Sequence, residues 1–158
     1  LDASVTHPAV MIASDAVFWN YFDENGAIQT YTGDEWPLPE GVFSHPRSAG
    51  SFAKVLRSYV RERGLLSMSD AIDKMALMPV EVLEDFVPQM RRKGRIQVGM
   101  DADIVVFDPS RIADRATYED ANQIAAGVQT VLVNGTFAVR DGDLVLDADG
   151  GKAIRISR

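Results

Sequence analysis

The residue of this chain best placed to do chemistry is Asp15, at the end of the run Val10-Met11-Ile12-Ala13-Ser14-Asp15. Small and apolar residues leading straight into a Ser-Asp pair predict a buried strand with an ionisable carboxylate at its C-terminal end. In α/β barrels the reacting groups sit at that end of the strands. An Asp there can ligate a metal or take a proton from a metal-activated water. The same residue type also closes turns and caps helix starts after ordinary strands, which is its plainer use. A second cluster, Ser44-His45-Pro46-Arg47, is where His and Arg stand together. There Arg47 can grip a substrate carboxylate and His45 can donate a hydrogen bond beside it; alternatively the four residues turn the chain and pack it down.

The surrounding elements are read from periodicity and breakers. Residues 1–15 hold the opening strand, with His7-Pro8 at the end where it begins, so His7 is read as structural. Residues 16–50 carry Gly26, Gly33, Pro37, Pro39, Gly41, Pro46 and Gly50 among Phe18, Trp19, Tyr21, Phe22, Tyr31, Trp36 and Phe43. A connection of roughly 35 residues is long for a compact domain and predicts a lid or binding loop. Within it Asn25-Gly26 can close a hairpin between Val17–Phe22 and Ala27–Tyr31. Phe52, Val55, Leu56, Tyr59 and Val60 share one helical face, predicting a helix over Ser51–Arg63 stopped by Gly64. A second helix, Met68–Leu77, opens on Ser67 and Asp70 at capping-box spacing; its methionines read as core filler. Pro79 predicts the first residue of a third helix, Pro79–Phe86. After Pro88 the period shortens. Gly94–Gly99 alternates, Ala102–Asp108 is a β run, and Ile112–Glu119 holds a short strand or turn. Val128–Val133 and Thr136–Arg140 then flank Asn134-Gly135, and Asp141-Gly142 turns into Asp143–Leu146. This is an antiparallel meander, too small to complete a core, so it expects strands from elsewhere.

Composition narrows the classes. The chain has 158 residues, 46% hydrophobic and 25% charged, with a net charge of −7. That fits one domain, or a small domain plus part of another, and not a disordered segment. The acidic balance argues against nucleic acid or an anionic membrane as partner, since both need a cationic face. The basic stretch Arg91-Arg92-Lys93, with Arg95, reads as a solvated edge. Without cysteine there are no disulfides or thiolate metal sites, and the default compartment is the cytoplasm. No apolar run reaches the ~20 residues of a membrane span, and no signal peptide is visible. A chain beginning at Leu1, close to a buried-looking strand, is expected to start at a cut.

Taken in order, a strand ending in Ser-Asp is followed by a long loop with His-Pro-Arg and then three helices. Next come Gly94-x-Ile96-x-x-Gly99-x-x-Ala102-Asp103-Ile104-Val105-Val106-Phe107-Asp108 and Val131-x-Val133-Asn134-Gly135. Over nearly its whole length the chain resembles the C-terminal part of the amidohydrolase superfamily, most of all the D-aminoacylase (N-acyl-D-amino-acid deacylase) group. The resemblance implies an α/β fold: the C-terminal portion of a metal-dependent (β/α)8 barrel, last strand plus helices, over 1–92. A small antiparallel β-meander forming part of a β-sandwich occupies 93–158. The resemblance also implies that Asp15 binds the metal and acts as general base. Zinc is the expected cofactor, as one or two divalent ions whose histidine ligands lie outside this segment; His7 and His45 match none of those positions. Arg47 and His45 are then candidates for holding a small N-acyl amino acid, and the segment should hydrolyse nothing alone. Its expected partners are that substrate and either the missing N-terminal part or a second copy. Three features depart from the family pattern: Ala16 stands where Gly usually follows Ser-Asp, Leu77-Met78 replaces a polar cap, and the 85–93 connection is long. Other readings are a cyclic amide hydrolase of hydantoinase or dihydroorotase type, and a non-catalytic assembly module.

Overall fold

A computed structural model of the chain describes residues 1–155. It is an α/β arrangement of helices and a small antiparallel sheet that meet where Phe107 and Val128 pack against the helical core, with a separate hairpin near the N-terminus. The elements are α1 (Asp2–Thr6), β1 (Asn20–Phe22), β2 (Ile28–Thr30), α2 (Pro46–Lys54), α3 (Met68–Ile72), α4 (Met78–Leu83), β3 (Ile104–Phe107), β4 (Val128–Val133), β5 (Thr136–Arg140) and β6 (Asp143–Leu144). The larger sheet runs β3-β4-β5-β6, with every neighbour antiparallel. No helix among the described residues is long and apolar enough to cross a membrane.

The opening strand expected over Val10–Ala13 is not formed. The segment is irregular, and the Ile12 N–H donates to the carbonyl of Lys74 at 3.0 Å. A strand exists through its ladder, and among the described residues no strand lies alongside this one. Ahead of it, Asp2–Thr6 is a short helix instead, with Asp2 paired to Arg63. What fixes the segment is Lys74, only 4% exposed. Its ammonium donates to the carbonyls of His7 and Val10, the latter at 2.9 Å. Hydrogen bonds to a charged group contribute about 1.5–3 kcal/mol. Lys74→Met keeps the aliphatic stem and deletes the donors. It is expected to lower stability by about 1–3 kcal/mol and to hasten hydrogen exchange at the Ile12 amide, both measurable by exchange NMR and urea titration.

The helices are longer and less regular than expected. The first begins at Pro46, not Ser51, because Pro pre-sets φ at the first helical position and His45 accepts a hydrogen bond from the Arg47 N–H as its cap. From Val55 to Glu62 it winds as wider π turns, and Gly64 ends it at φ +59°. The second and third expected helices are one run. α3 passes through a π segment, Asp73–Leu77, directly into α4, with Leu77 and Met78 both helical. No polar side chain stands at 77–78 to break it. The widened turn accommodates Pro79, which lacks a donor and would crowd a regular helix. Ser67 caps as its spacing predicts, accepting from the Asp70 N–H at 3.0 Å.

The core gathers Ala53, Val55, Leu56, Tyr59, Leu66 and Ala71 from the helices around Ile112 from beyond β3. Arg57 bridges Asp114 at 2.7 Å, and Arg61 donates to the carbonyls of Pro109 and Ile112, fastening the turn that delivers Ile112. Between the helices and β3–β4 an open apolar cleft of about 560 Å³ remains, lined by Phe52, Leu56, Met75, Val105 and Val131 among others.

In the sheet, Asn134-Gly135 and Asp141-Gly142 take the positive φ values that two-residue hairpin turns need, and β4 and β5 fall on their predicted residues. The Gly94–Gly99 alternation does not become a strand: Ile96 is 83% exposed, and among the described residues nothing pairs with it. Ile112–Glu119 contributes only the bridge between Ala113 and Ala126. The basic stretch lies at the surface, with Arg91 and Arg92 exposed, and three of its four charges are paired. Arg92 meets Asp101 at 2.7 Å, Arg95 meets Glu84 at 2.9 Å, and Lys93 lies 2.6 Å from Asp103 and 3.1 Å from Asp101. Partial burial pushes the Asp103 carboxyl upward, but Lys93 and the Asn134 N–H outweigh it and hold the group below the usual carboxylate value of 3.8. A carboxyl depressed by folding stabilises the fold above its unfolded value, and that stabilisation disappears as pH falls through the folded value. Urea midpoints should therefore drop below about pH 4, and Asp103→Asn should flatten that limb relative to the parent chain.

Candidate functional site

Asp15 and the His-Pro-Arg cluster, far apart in sequence, meet at the start of α2. The Arg47 guanidinium reaches the Asp15 carboxylate at 3.3 Å, and its Nε donates to the Asp15 carbonyl at 2.6 Å. Arg47 stands at the second helical position, so its side chain leans back over the turn before the helix. Asp15 has φ +48°, a left-handed conformation that costs a non-glycine residue about 1–2 kcal/mol, less for Asp than for most. The strain falls on Asp15 itself and not on Ala16, so a glycine at position 16 is not required for the chain to turn here. The Asp15 side chain is 89% exposed, and among the described residues its carboxylate meets Arg47 and no backbone N–H.

His45 accepts the Arg47 N–H at its Nδ1, 3.1 Å away. A neutral ring that accepts there carries its proton on Nε2, leaving a donor on the other edge. The ring meets Tyr118 edge-on, with centroids 5.1 Å apart. His7 turns the chain locally by accepting the Ala9 N–H at 3.2 Å and is remote in role from this cluster.

Two serines complete the arrangement: Ser44, which opens the His-Pro-Arg cluster, and Ser48, which sequence reasoning misses. The Val17 N–H donates to Ser48 Oγ at 3.1 Å, and both Ser44 and Ser48 lie within hydrogen-bonding distance of the Val17 carbonyl. Arg47 and Ser48 stand in the first turn and Ser44 just before its His45 cap; that spacing is visible in the sequence once the helix is started at Pro46. The long loop leaves from Val17 and returns at Ser44. In between, β1 and β2 form the hairpin expected around Asn25-Gly26, shorter than its predicted arms. The pairing of Asn20 with Phe43 and the stack of Phe22 on Phe43 close the base of the loop. The Asn122 side chain holds it from the far side by donating to the Val42 carbonyl at 3.0 Å.

These residues do not make a metal centre by themselves. Among the described residues no three His, Cys, Asp or Glu side chains converge as a bound cation requires. Asp15, exposed and acidic, fits the part of one ligand in a site completed by other groups.

A model of the amidohydrolase family matches residues 19–139. The chain belongs to the amidohydrolase family. Among amidohydrolases it is similar to the N-acyl-D-glutamate deacylase of Alcaligenes xylosoxydans xylosoxydans, at 43% identity over 98 residues, covering 62% of this chain and 19% of that protein. It is also similar to the solved D-aminoacylase with a binuclear metal center, at a TM-score of 0.68 and 30% identity over 91% of this chain and 25% of that one. The N-acyl-D-glutamate deacylase from Bordetella bronchiseptica, solved with zinc and a phosphonate inhibitor, superimposes with a TM-score of 0.63 at 32% identity, over 89% of this chain and 26% of that one. The amidohydrolase segment described here thus spans about a fifth to a quarter of these relatives.

Proposed function

We propose that this chain is the C-terminal part of a metal-dependent hydrolase of amide C–N bonds, acting on N-acyl-D-amino acids. The observation that carries the reading is the junction of Asp15 with Arg47, a carboxylate and a guanidinium brought within 3.3 Å by segments 32 positions apart. Its support is the family membership and the names of the related deacylases. On this reading residues 1–92 belong to a (β/α)8 barrel and 93–158 to a β-sandwich. Val10–Ala13 then finds the strand neighbours it lacks in the remainder of the barrel.

One or two divalent metals such as zinc, held in part by Asp15, supply a water of lowered pKa and a polarised scissile carbonyl when bound. The Asp15 carboxylate takes the proton of the attacking water and delivers it to the departing nitrogen. Its contact with Arg47 is exposed and therefore weak, so Arg47 can exchange it for the substrate's carboxylate. His45 donates from Nε2 beside it, and the 16–50 loop covers the bound molecule.

The test offers the full-length protein N-acetyl-D-amino acids and, separately, hydantoins. Turnover of the first and not the second is the expected result; the reverse assigns a cyclic amide hydrolase, and turnover of neither rejects both. Arg47→Met should raise KM for N-acyl amino acids about 10–100-fold, the size of a lost charge-assisted hydrogen bond, and should lower kcat as well, because its Nε also holds the Asp15 carbonyl.

A further inference from the structure

We propose that Ser48, seconded by Ser44, is a positioning residue for Asp15; this rests on the reading of Asp15 as the base. The chain around Asp15 has no ladder to fix it, and Asp15 adopts a left-handed backbone that a non-glycine keeps only where its surroundings over-determine it. The first turn of α2 supplies that determination from both sides of the carboxylate. Arg47 Nε holds the Asp15 carbonyl at 2.6 Å. Two residues on, the Ser48 hydroxyl accepts the Val17 N–H at 3.1 Å and donates to the Val17 carbonyl at 3.2 Å, while Ser44 donates to Ser48 Oγ at 3.0 Å.

A hydroxyl has one proton and two lone pairs, and all three are used here. Ser48 thereby does for Val17 what a neighbouring strand does for a residue inside a sheet, offering one acceptor and one donor to the same backbone unit. The consequence falls on the neighbouring loop. Phe18, the next residue, is 78% exposed and begins it. Any motion of that loop would be transmitted to Asp15 through two peptide units unless Val17 were fixed. Ser48 thus fixes the peptide unit that joins the long loop to the carboxylate. The sequence conceals this role, because a serine in a first helical turn ordinarily reads as solvated.

The experiment is steady-state kinetics of the full-length hydrolase on an N-acetyl-D-amino acid, with Ser48→Ala, Ser48→Thr, Ser44→Ala and Asp15→Asn measured together. Melting temperature and metal content by elemental analysis are followed for each. A displacement near 1 Å at a reacting group costs on the order of 100-fold in rate. Ser48→Ala should therefore lower kcat roughly 10–100-fold with KM, metal content and melting temperature close to those of the parent. Ser48→Thr, which keeps the hydroxyl, should restore most of the loss, and Ser44→Ala should fall between. Parent-like kcat in Ser48→Ala overturns the proposal. So does a loss that Ser48→Thr does not restore, or one that tracks a fall in melting temperature, since that marks a purely structural serine. If Asp15→Asn stays active the reading of the base fails; if Asp15→Asn is inactive while Ser48→Ala is not, only the positioning role fails.

Discussion

If Asp15 is the base proposed above, Asp15→Asn in the full-length protein should lower kcat by about 10²–10⁴, the range that positioned general bases contribute. The expected loss falls on proton transfer and on the metal bond proposed for Asp15, and not on the fold, for reasons visible in this structure. Asn tolerates the left-handed φ of +48° about as well as Asp, so the backbone has no cause to move. The ion pair it removes is exposed at Asp15 and half-exposed at Arg47, and surface pairs of that kind contribute little to stability. The Arg47 Nε bond goes to the Asp15 backbone carbonyl and survives the change. Far-UV circular dichroism and melting temperature should match the parent, while turnover collapses. A variant that keeps more than about a tenth of the parent kcat contradicts the role given to this carboxylate. Ala at the same position would be a poorer experiment, because it tolerates positive φ less well and would confuse strain with lost basicity.

The largest effect on stability should come from Gly127→Ala. Gly127 stands just before β4 at φ +78°, and its carbonyl accepts the Asp108 N–H at 2.9 Å. A Cβ there would lie 2.5 Å from the Ile112 N, 2.7 Å from the Arg111 carbonyl carbon and 2.8 Å from the Ile112 Cα. Those neighbours are backbone and cannot swing aside. Moving them would shift Ile112, which is part of the core. The left-handed conformation costs about 1–2 kcal/mol and overpacking about 1–3 kcal/mol more. A loss of about 2–5 kcal/mol takes a large share of the stability typical of a domain. Gly64→Ala is the control: φ is +59°, nothing lies within 4 Å of the added methyl, and about 1 kcal/mol is expected. Urea midpoints of the two variants, taken side by side, decide the matter; equal values would mean that the backbone at Ile112 gives way easily.

Part of this protein was legible residue by residue. The β4–β5 hairpin fell on its predicted positions because Asn134-Gly135 favours the turn locally and the flanking Val-rich runs favour strands whatever surrounds them. The stop at Gly64 and the cap at Ser67 are equally local, each settled within one turn of helix. The misplaced elements depend on something distant. Val10–Ala13 and Gly94–Gly99 have strand patterns but no strand beside them among the described residues, and a pattern without a partner makes no ladder. Pro79 signalled a helix start, yet the preceding π turn absorbed it into a continuous run.

Side-chain type and short-range spacing were enough for the meander, the helical faces, the family likeness and the chemical character of Asp15 and Arg47. Folding in three dimensions was needed to bring Asp15 to Arg47, to strap the N-terminal segment to the helices through Lys74, and to put Ser48 where a strand beside Val17 is missing. Those contacts join positions 31–64 residues apart. Which residues close such long loops depends on how the intervening helices pack, and short-range spacing carries no record of that.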